Sequence, residues 1–215
     1  SVLLEMVLGV MAAVILNQRF VGRGLARALI LIPWALPEVV AGLVWSWMLS
    51  GSFGPINGLL QQLGLVDNYI PWLAYPMSAV CIIILVNVWR SAPVVAVLVL
   101  AGLQAIPVEV LESATVDGAS TPVKFVRVTL PLLKPVLVMT GILQMIWSFK
   151  TFDLIYTMTK GGPGGATRLL SYFVYHESFQ NLNFGGGAAV SFILLMIIFC
   201  VSAINVRMRL SYDSE

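Results

Sequence analysis

Charged residues make up only 10% of this 215-residue sequence, against about 25% in soluble domains. That scarcity excludes an ordinary soluble domain, and a net charge of +2 excludes a nucleic-acid surface. Cysteine is nearly absent. Cys81 and Cys200 both fall inside apolar runs, so each reads as a small buried hydrophobe, outside any disulfide or metal pattern. Histidine occurs once, at His176, and no metal-ligand cluster or nucleophile–base pair accompanies it, which argues against an enzyme. No Gly-x-x-x-x-Gly-Lys-Ser/Thr loop occurs, so the chain does not cradle a nucleotide triphosphate itself. No period of 20–50 residues repeats. The chain starts at Ser1 directly in an apolar run with no basic flank, unlike a signal peptide; the expectation is a longer chain with a further helix upstream.

What is abundant is apolar length: 59% of residues are hydrophobic and the mean hydropathy is +0.94. Crossing the hydrocarbon core takes about 20 mostly apolar helical residues. Five runs qualify: Val2 to Leu16, Ala28 to Leu49 with Pro33 and Pro37, Met77 to Leu103 with Arg90 and Pro93, Pro135 to Met158 with Lys150 and Asp153, and Ala188 to Val206. The expected fold is all-α, a polytopic transmembrane helical bundle forming a single domain over residues 1–215.

Four connections separate these runs. Residues 17–27 carry Arg19, Arg23 and Arg27, and residues 50–76 carry Tyr69, Trp72 and Tyr75, which suit an interfacial aromatic belt. Residues 104–134 are polar and turn-forming. Residues 159–187 are glycine-rich, through Gly161-Gly162-Pro163-Gly164-Gly165 and Gly185-Gly186-Gly187. With residues 17–27 in the cytoplasm, Arg19, Arg23, Arg27, Lys124, Arg127, Lys134, Arg207 and Arg209 are cytoplasmic, and only Lys160 and Arg168 external. That bias places the 104–134 loop and the C-terminus inside.

The 104–134 loop reads as two short helices around a tight turn. Pro107 suits a first helical turn, and Glu109 and Glu112 lie where a helix N-terminus favours negative charge. Gly118 is a natural stop. Ser120 or Thr121 caps a second helix with Pro122 in its first turn, and Phe125, Val128 and Leu132 give it an apolar face. Pro131 and Pro135 mark the return to the membrane. Ala114, Gly118 and Ala119 are small enough for another protein to approach the backbone. The plain alternative is a capped loop without a partner.

The pattern Ile106-Pro107, Glu112-Ser113-Ala114, Asp117-Gly118-Ala119, Phe125 and Leu130-Pro131 resembles the signature loop of binding-protein-dependent ABC importer permeases. Ser113 stands where the family usually has alanine. Asn17 with Arg19, Leu31-Ile32-Pro33, Trp89, Ala101-Gly102-Leu103-Gln104 and Gly161-Gly162-Pro163 followed by Thr167 are similar to its carbohydrate branch, which takes maltose-, trehalose- and glycerol-phosphate-type solutes. The resemblance implies a type I importer permease fold with six spans, the first lacking here. It also implies a loop docked on a cytoplasmic ABC ATPase dimer through Glu112, Ser113, Ala114, Asp117, Gly118 and Ala119. ATP and Mg would sit in that ATPase, with no cofactor on this chain. Implied too are a second, non-identical permease, an extracytoplasmic solute-binding protein meeting the 161–187 loop, and a prokaryotic plasma (inner) membrane.

Polar residues within spans are functional suspects. Gln144, Ser148 and Thr151 share one face of a helix, with Trp147 beside it. Hydroxyls, an amide and an indole are the mix that grips a sugar, and Asn87 and Trp89 add to it. The competing reading is interhelical glue. Lys150 and Asp153, three apart, can pair. Arg90 is structural or part of a gate. An ATP-independent carrier or channel for a small polar solute remains the alternative function, but it gives the 104–134 loop no purpose.

Overall fold

The computed structural model describes residues 1–18 and 20–212, with side chains described through Ala203. Arg19 and the side chains of Arg207 and Arg209, which enter the charge count, lie outside the described residues, as does the side chain of Val206. In chain order the helices are α1 (Val2–Asn17), α2 (Arg23–Ile30), α3 (Ile32–Ala35), α4 (Glu38–Met48), α5 (Pro55–Gln62) and α6 (Pro76–Gln104). Then come α7 (Val108–Val116), α8 (Thr121–Lys124), α9 (Leu130–Lys150), α10 (Asp153–Met158), α11 (Leu170–Tyr175) and α12 (Phe184–Tyr212). Single π-helical turns, Phe125–Thr129 and His176–Gln180, follow α8 and α11. No strand occurs among the described residues.

Three helical stretches are long and apolar enough to span a bilayer: Pro76–Gln104, Thr121–Lys150 and Phe184–Ala203. A fourth is reached only by joining Arg23–Ala35 to Glu38–Met48. Three of the five expected runs take a different form. The first is α1, a shorter apolar helix of 16 residues that starts at Val2. The run from Ala28 to Leu49 is interrupted around Leu36 and Pro37, because Pro37 has no N–H to donate and its ring pushes the preceding residue out of the helical region. The fourth run starts earlier and ends earlier than expected. Pro131 and Pro135 do not interrupt it, since Thr121–Lys150 is one helical stretch. It stops at Lys150, so Lys150 and Asp153 no longer sit three apart on one helix. By contrast α6 coincides with the expected third span almost to the residue, with Pro93 inside it.

The chain forms two compact units. The first comprises Ser1, Ala35–Val88 and Ile146–Val201. Its core is Leu49, Val86, Leu154 and Met158, flanked by Trp45, Ile56 and Trp72. Here α4 lies against α10 so closely that a Cβ on Gly42 would overlap the Thr157 side chain. The second comprises Val2–Trp34, Trp89–Met145 and Ser202–Glu215, around Ala13, Leu16, Val95, Val99, Leu103 and Leu133. A Cβ on Gly102 would come 2.9 Å from Val136. Lipid tails are as apolar as leucine, so close contact through small residues, rather than escape from water, holds such helices together. Leucines and phenylalanines accordingly point outward over much of the surface. Cys81 and Cys200 are exposed among them, contrary to the buried positions expected.

The 50–76 connection is ordered by one side chain. Asn57 is fully buried. Its amide donates to the carbonyls of Ser50 (3.0 Å) and Ile70 (2.9 Å), and its oxygen accepts from the Ile70 N–H (3.2 Å) and the Trp72 indole (3.0 Å). All four hydrogen-bonding capacities of the amide are used. Trp72 is therefore turned onto Asn57 and only Tyr75 of the three belt aromatics is strongly exposed, at 58%. Gly185–Gly187, placed in the 159–187 connection, instead form the first turn of α12.

Candidate functional site

The loop from Pro107 to Thr121 has the helix–glycine–helix shape expected. Pro107 precedes α7, and Asp117 ends it. Gly118 lies in the left-handed region at φ 80°. Its N–H reaches the Thr115 carbonyl (3.1 Å), and the Ala119 N–H reaches back to Ala114 (3.0 Å). This pair of bonds is the Schellman termination, which needs a left-handed residue at Gly118's position. Lys124 Nζ donates to Thr115 Oγ1 (2.8 Å), tying α8 to α7. Ser120 stands at the N-cap of α8 without a side-chain capping bond. The expected second short helix is only the opening turn of a long one, joined to α9 through the π turn.

Ala114 is packed inward, at 9% exposure, whereas Glu112, Ser113, Asp117 and Gly118 are exposed and Ala119 is half-buried. Sequence reasoning missed the apolar part of this surface. Val116 is 87% exposed and Val108 61%, on a loop that carries the polar residues of the chain. The available signal was a valine at each end of α7 among acidic and hydroxyl neighbours. Behind α7 lies a cavity of about 150 Å³ bounded by Asn17, Leu111, Lys124, Phe125 and Thr129 among others.

A second concavity, of about 220 Å³, gathers Asn87 from α6, Ser148 from α9, Thr151, Ile155 from α10 and Thr167. Val80, Ile83, Ile84 and Leu169 give it apolar walls, and Ser1 lies at its edge, its hydroxyl 3.4 Å from that of Ser148. An apolar cleft with a few convergent polar groups is the usual form of a small-molecule site. Asn87 and Thr151 are each 8% exposed and Thr167 5%. Thr167 is fixed by a bond to the Gly162 carbonyl and by a hydroxyl–hydroxyl contact with Thr159, each 2.7 Å.

Of the six residues expected to face substrate, the cleft brings together Asn87, Ser148 and Thr151. Gln144 does not line it. That side chain is 1% exposed and donates to the Ser91 carbonyl (3.3 Å), the interhelical role of a polar residue in lipid. Trp89 and Trp147 do not line it either, and both are exposed, at 36% and 44%. Thr167, absent from the expected set, takes a place in the cleft because the chain returns after Gly162-Pro163.

Long apolar helices, an exposed polar loop and an apolar cleft with a few polar groups suit a membrane transport component. The chain belongs to the family described as binding-protein-dependent transport system inner membrane component, whose pattern matches residues 5–212. It is 41% identical over 208 residues to the trehalose/maltose transport system permease protein MalF of Thermococcus litoralis, covering 96% of this chain and 69% of that one. It is 36% identical over 206 residues to the sulfoquinovosyl glycerol transport system permease protein SmoG of Agrobacterium fabrum, covering 96% and 66%. Its fold matches a chain of a bacterial alginate ABC transporter, solved in complex with an alginate pentasaccharide-bound periplasmic protein, with TM-score 0.87 and 21% identity over 97% of this chain and 73% of that one.

Proposed function

We propose that this chain forms half of the membrane pathway of an ATP-driven carbohydrate importer. In this reading Glu112, Ser113, Asp117, Gly118 and Ala119 dock on a cytoplasmic ABC ATPase dimer that holds the ATP and Mg, with Ala114 packed behind them. The observation that carries the reading is the α7–Gly118 turn, a rigid soluble knob with exposed valines and carboxylates on an otherwise lipid-facing protein. A second, non-identical permease completes the pathway, and an extracytoplasmic solute-binding protein delivers the solute to the 159–187 side. The loop and the C-terminus lie in the cytoplasm. Carbohydrate is supported by the names of the relatives, which concern trehalose, maltose and a sulfosugar glycoside.

Purifying the tagged chain from its own cells and reconstituting it tests the reading. The expected result is an ATPase in the purified complex and saccharide uptake that stops when ATP is withheld. Uptake that persists without ATP, from a preparation holding no ATPase, would instead establish a self-sufficient carrier or channel.

In the cleft, Asn87, Ser148, Thr151 and Thr167 offer hydrogen bonds to sugar hydroxyls while the isoleucines and Val80 exclude water. A neutral hydrogen bond contributes about 0.5–1.5 kcal/mol net. Ser148→Ala combined with Thr151→Val is therefore expected to raise the KM for uptake by roughly tenfold, with the protein still inserted. Unchanged uptake kinetics would remove these residues from the substrate path. Gln144→Ala should behave differently. It strips a partner from the Ser91 carbonyl and weakens helix packing by about 1 kcal/mol, without altering which saccharides are taken up.

A further inference from the structure

A row of aromatic rings leads away from the cleft within the first unit. Phe152 follows Thr151, which lines the cleft. Its ring stacks on Tyr156 at 5.4 Å between centroids and meets Tyr175 at 5.1 Å. Tyr156 and Tyr175 meet edge to face at 5.3 Å. The row continues from Tyr175 to Phe179 at 5.5 Å and from Phe179 to Phe184 at 6.5 Å. It is fixed from beneath by Tyr172, 7% exposed and packed beside Gly161, where a Cβ would come within 2.8 Å of the ring. The Ser171 hydroxyl donates to the Thr151 carbonyl (2.5 Å), tying α11 to the rim of the cleft.

The outer rings are bare. Tyr156 is 38% exposed, Phe179 64% and Phe184 63%. Polar groups flank them: Gln180 reaches the Tyr175 hydroxyl (3.5 Å), and Glu177 accepts from Asn181 (2.8 Å) and Asn183 (3.4 Å). The Tyr156 phenol is held above its ordinary pKa, first by a hydrogen bond with Tyr175. Rings that anchor a protein in lipid sit as separate amphipathic side chains at the membrane surface. Rings that touch in sequence beside a carboxylate and amides present something else: a line of apolar faces with hydrogen-bonding edges. Sugars have that same combination, a flat C–H face and a rim of hydroxyls.

We propose that Phe152, Tyr156, Tyr175, Phe179 and Phe184 form a stacking track, starting next to the cleft residue Thr151, on which a saccharide of two or more rings is held. The proposal rests on the carbohydrate-importer reading above and adds a second binding region to it. Each ring contributes about 0.5–1.5 kcal/mol if its contact resembles an aromatic pair.

ATP-driven uptake by the reconstituted importer, measured across mono-, di- and trisaccharides, tests it. The variant F179A/F184A is expected to raise the KM for the longer saccharides about tenfold, with a smaller rise for monosaccharides and little change in maximal rate. Leucine at both positions keeps apolar bulk but has no ring face, so F179L/F184L should be as impaired as the alanine pair. F179W should retain uptake, and its indole emission should change on addition of the transported disaccharide. The track is overturned if the alanine pair keeps wild-type KM values. It is also overturned if the leucine pair restores them, which would reveal a lipid or protein contact, or if only the maximal rate falls, which would reveal docking of the delivery protein. A wild-type importer that carries other solutes but no saccharide would overturn the carbohydrate reading and the track together.

Discussion

Gly118→Val is expected to reduce ATP-driven uptake to background while the protein still inserts and assembles in the membrane. The φ of 80° at this position is a conformation that costs an ordinary L-residue roughly 1–2 kcal/mol and is an outlier for a β-branched one. Among the described residues, nothing beyond the glycine's own chain neighbours lies within 4 Å of a Cβ placed there. The damage to the isolated fold is therefore backbone strain alone, small beside a typical stability of about 5–15 kcal/mol. A large functional loss at so small a structural cost would locate the defect in what approaches the glycine from outside. Gly118→Asn separates the two contributions, because asparagine visits the left-handed region readily. It should preserve the turn, place a side chain on the docking surface and still uncouple ATP hydrolysis from uptake. Wild-type coupling in both variants would sink the docking assignment.

Asn57→Ala, in the short helix α5, should give a large loss of stability in the 50–76 connection. The substitution leaves two carbonyls, an N–H and the Trp72 indole without the partner they share. Each buried group left unsatisfied costs about 1–3 kcal/mol, and water entering a loosened loop recovers part of it. A destabilisation on the order of 3–6 kcal/mol is expected, seen as a lower thermal midpoint and as new proteolytic cuts between residues 50 and 72. An unmoved midpoint and an unchanged digestion pattern would show that the connection is ordered by something else. Asn57→Asp keeps both acceptor bonds and loses the two donors, so it should preserve Trp72 but release the Ser50 and Ile70 carbonyls.

How much of this could be read from the residues varied with how local the physics was. The turn at Gly118 was legible because each position carries its own reason: a proline before the helix, an acidic first turn, a glycine where the backbone reverses. α6 was legible because a continuous apolar run needs no tertiary information to be a span. Around Pro37 the sequence allows either a bend or a stop, and the residues themselves do not say which. The stop after Lys150 has no glycine or proline to announce it, and the apolar pattern runs on to Met158. The face at Gln144, Ser148 and Thr151 was projected on one helix, but α9 ends at Lys150, and a projection does not say which neighbour each side chain meets. Gln144 meets a carbonyl and Ser148 meets the cleft. Thr167 and the ring row were illegible because they depend on how the chain folds back between Gly161 and Phe184.

α12 is long enough to cross a bilayer. Its described apolar stretch, Phe184–Ala203, covers 20 residues, about 30 Å of helix, and a typical hydrocarbon core takes about that many. Only 6% of its most apolar stretch is buried within the chain, and Phe192, Leu195 and Phe199 are all more than half exposed. A helix with so few neighbours in its own chain meets lipid or another subunit along most of its length, and a bilayer adjusts to mismatch at a modest cost per ångström. Uptake rates in thin and thick membranes are expected to differ if lipid is what that face meets, and to agree if a second subunit covers it.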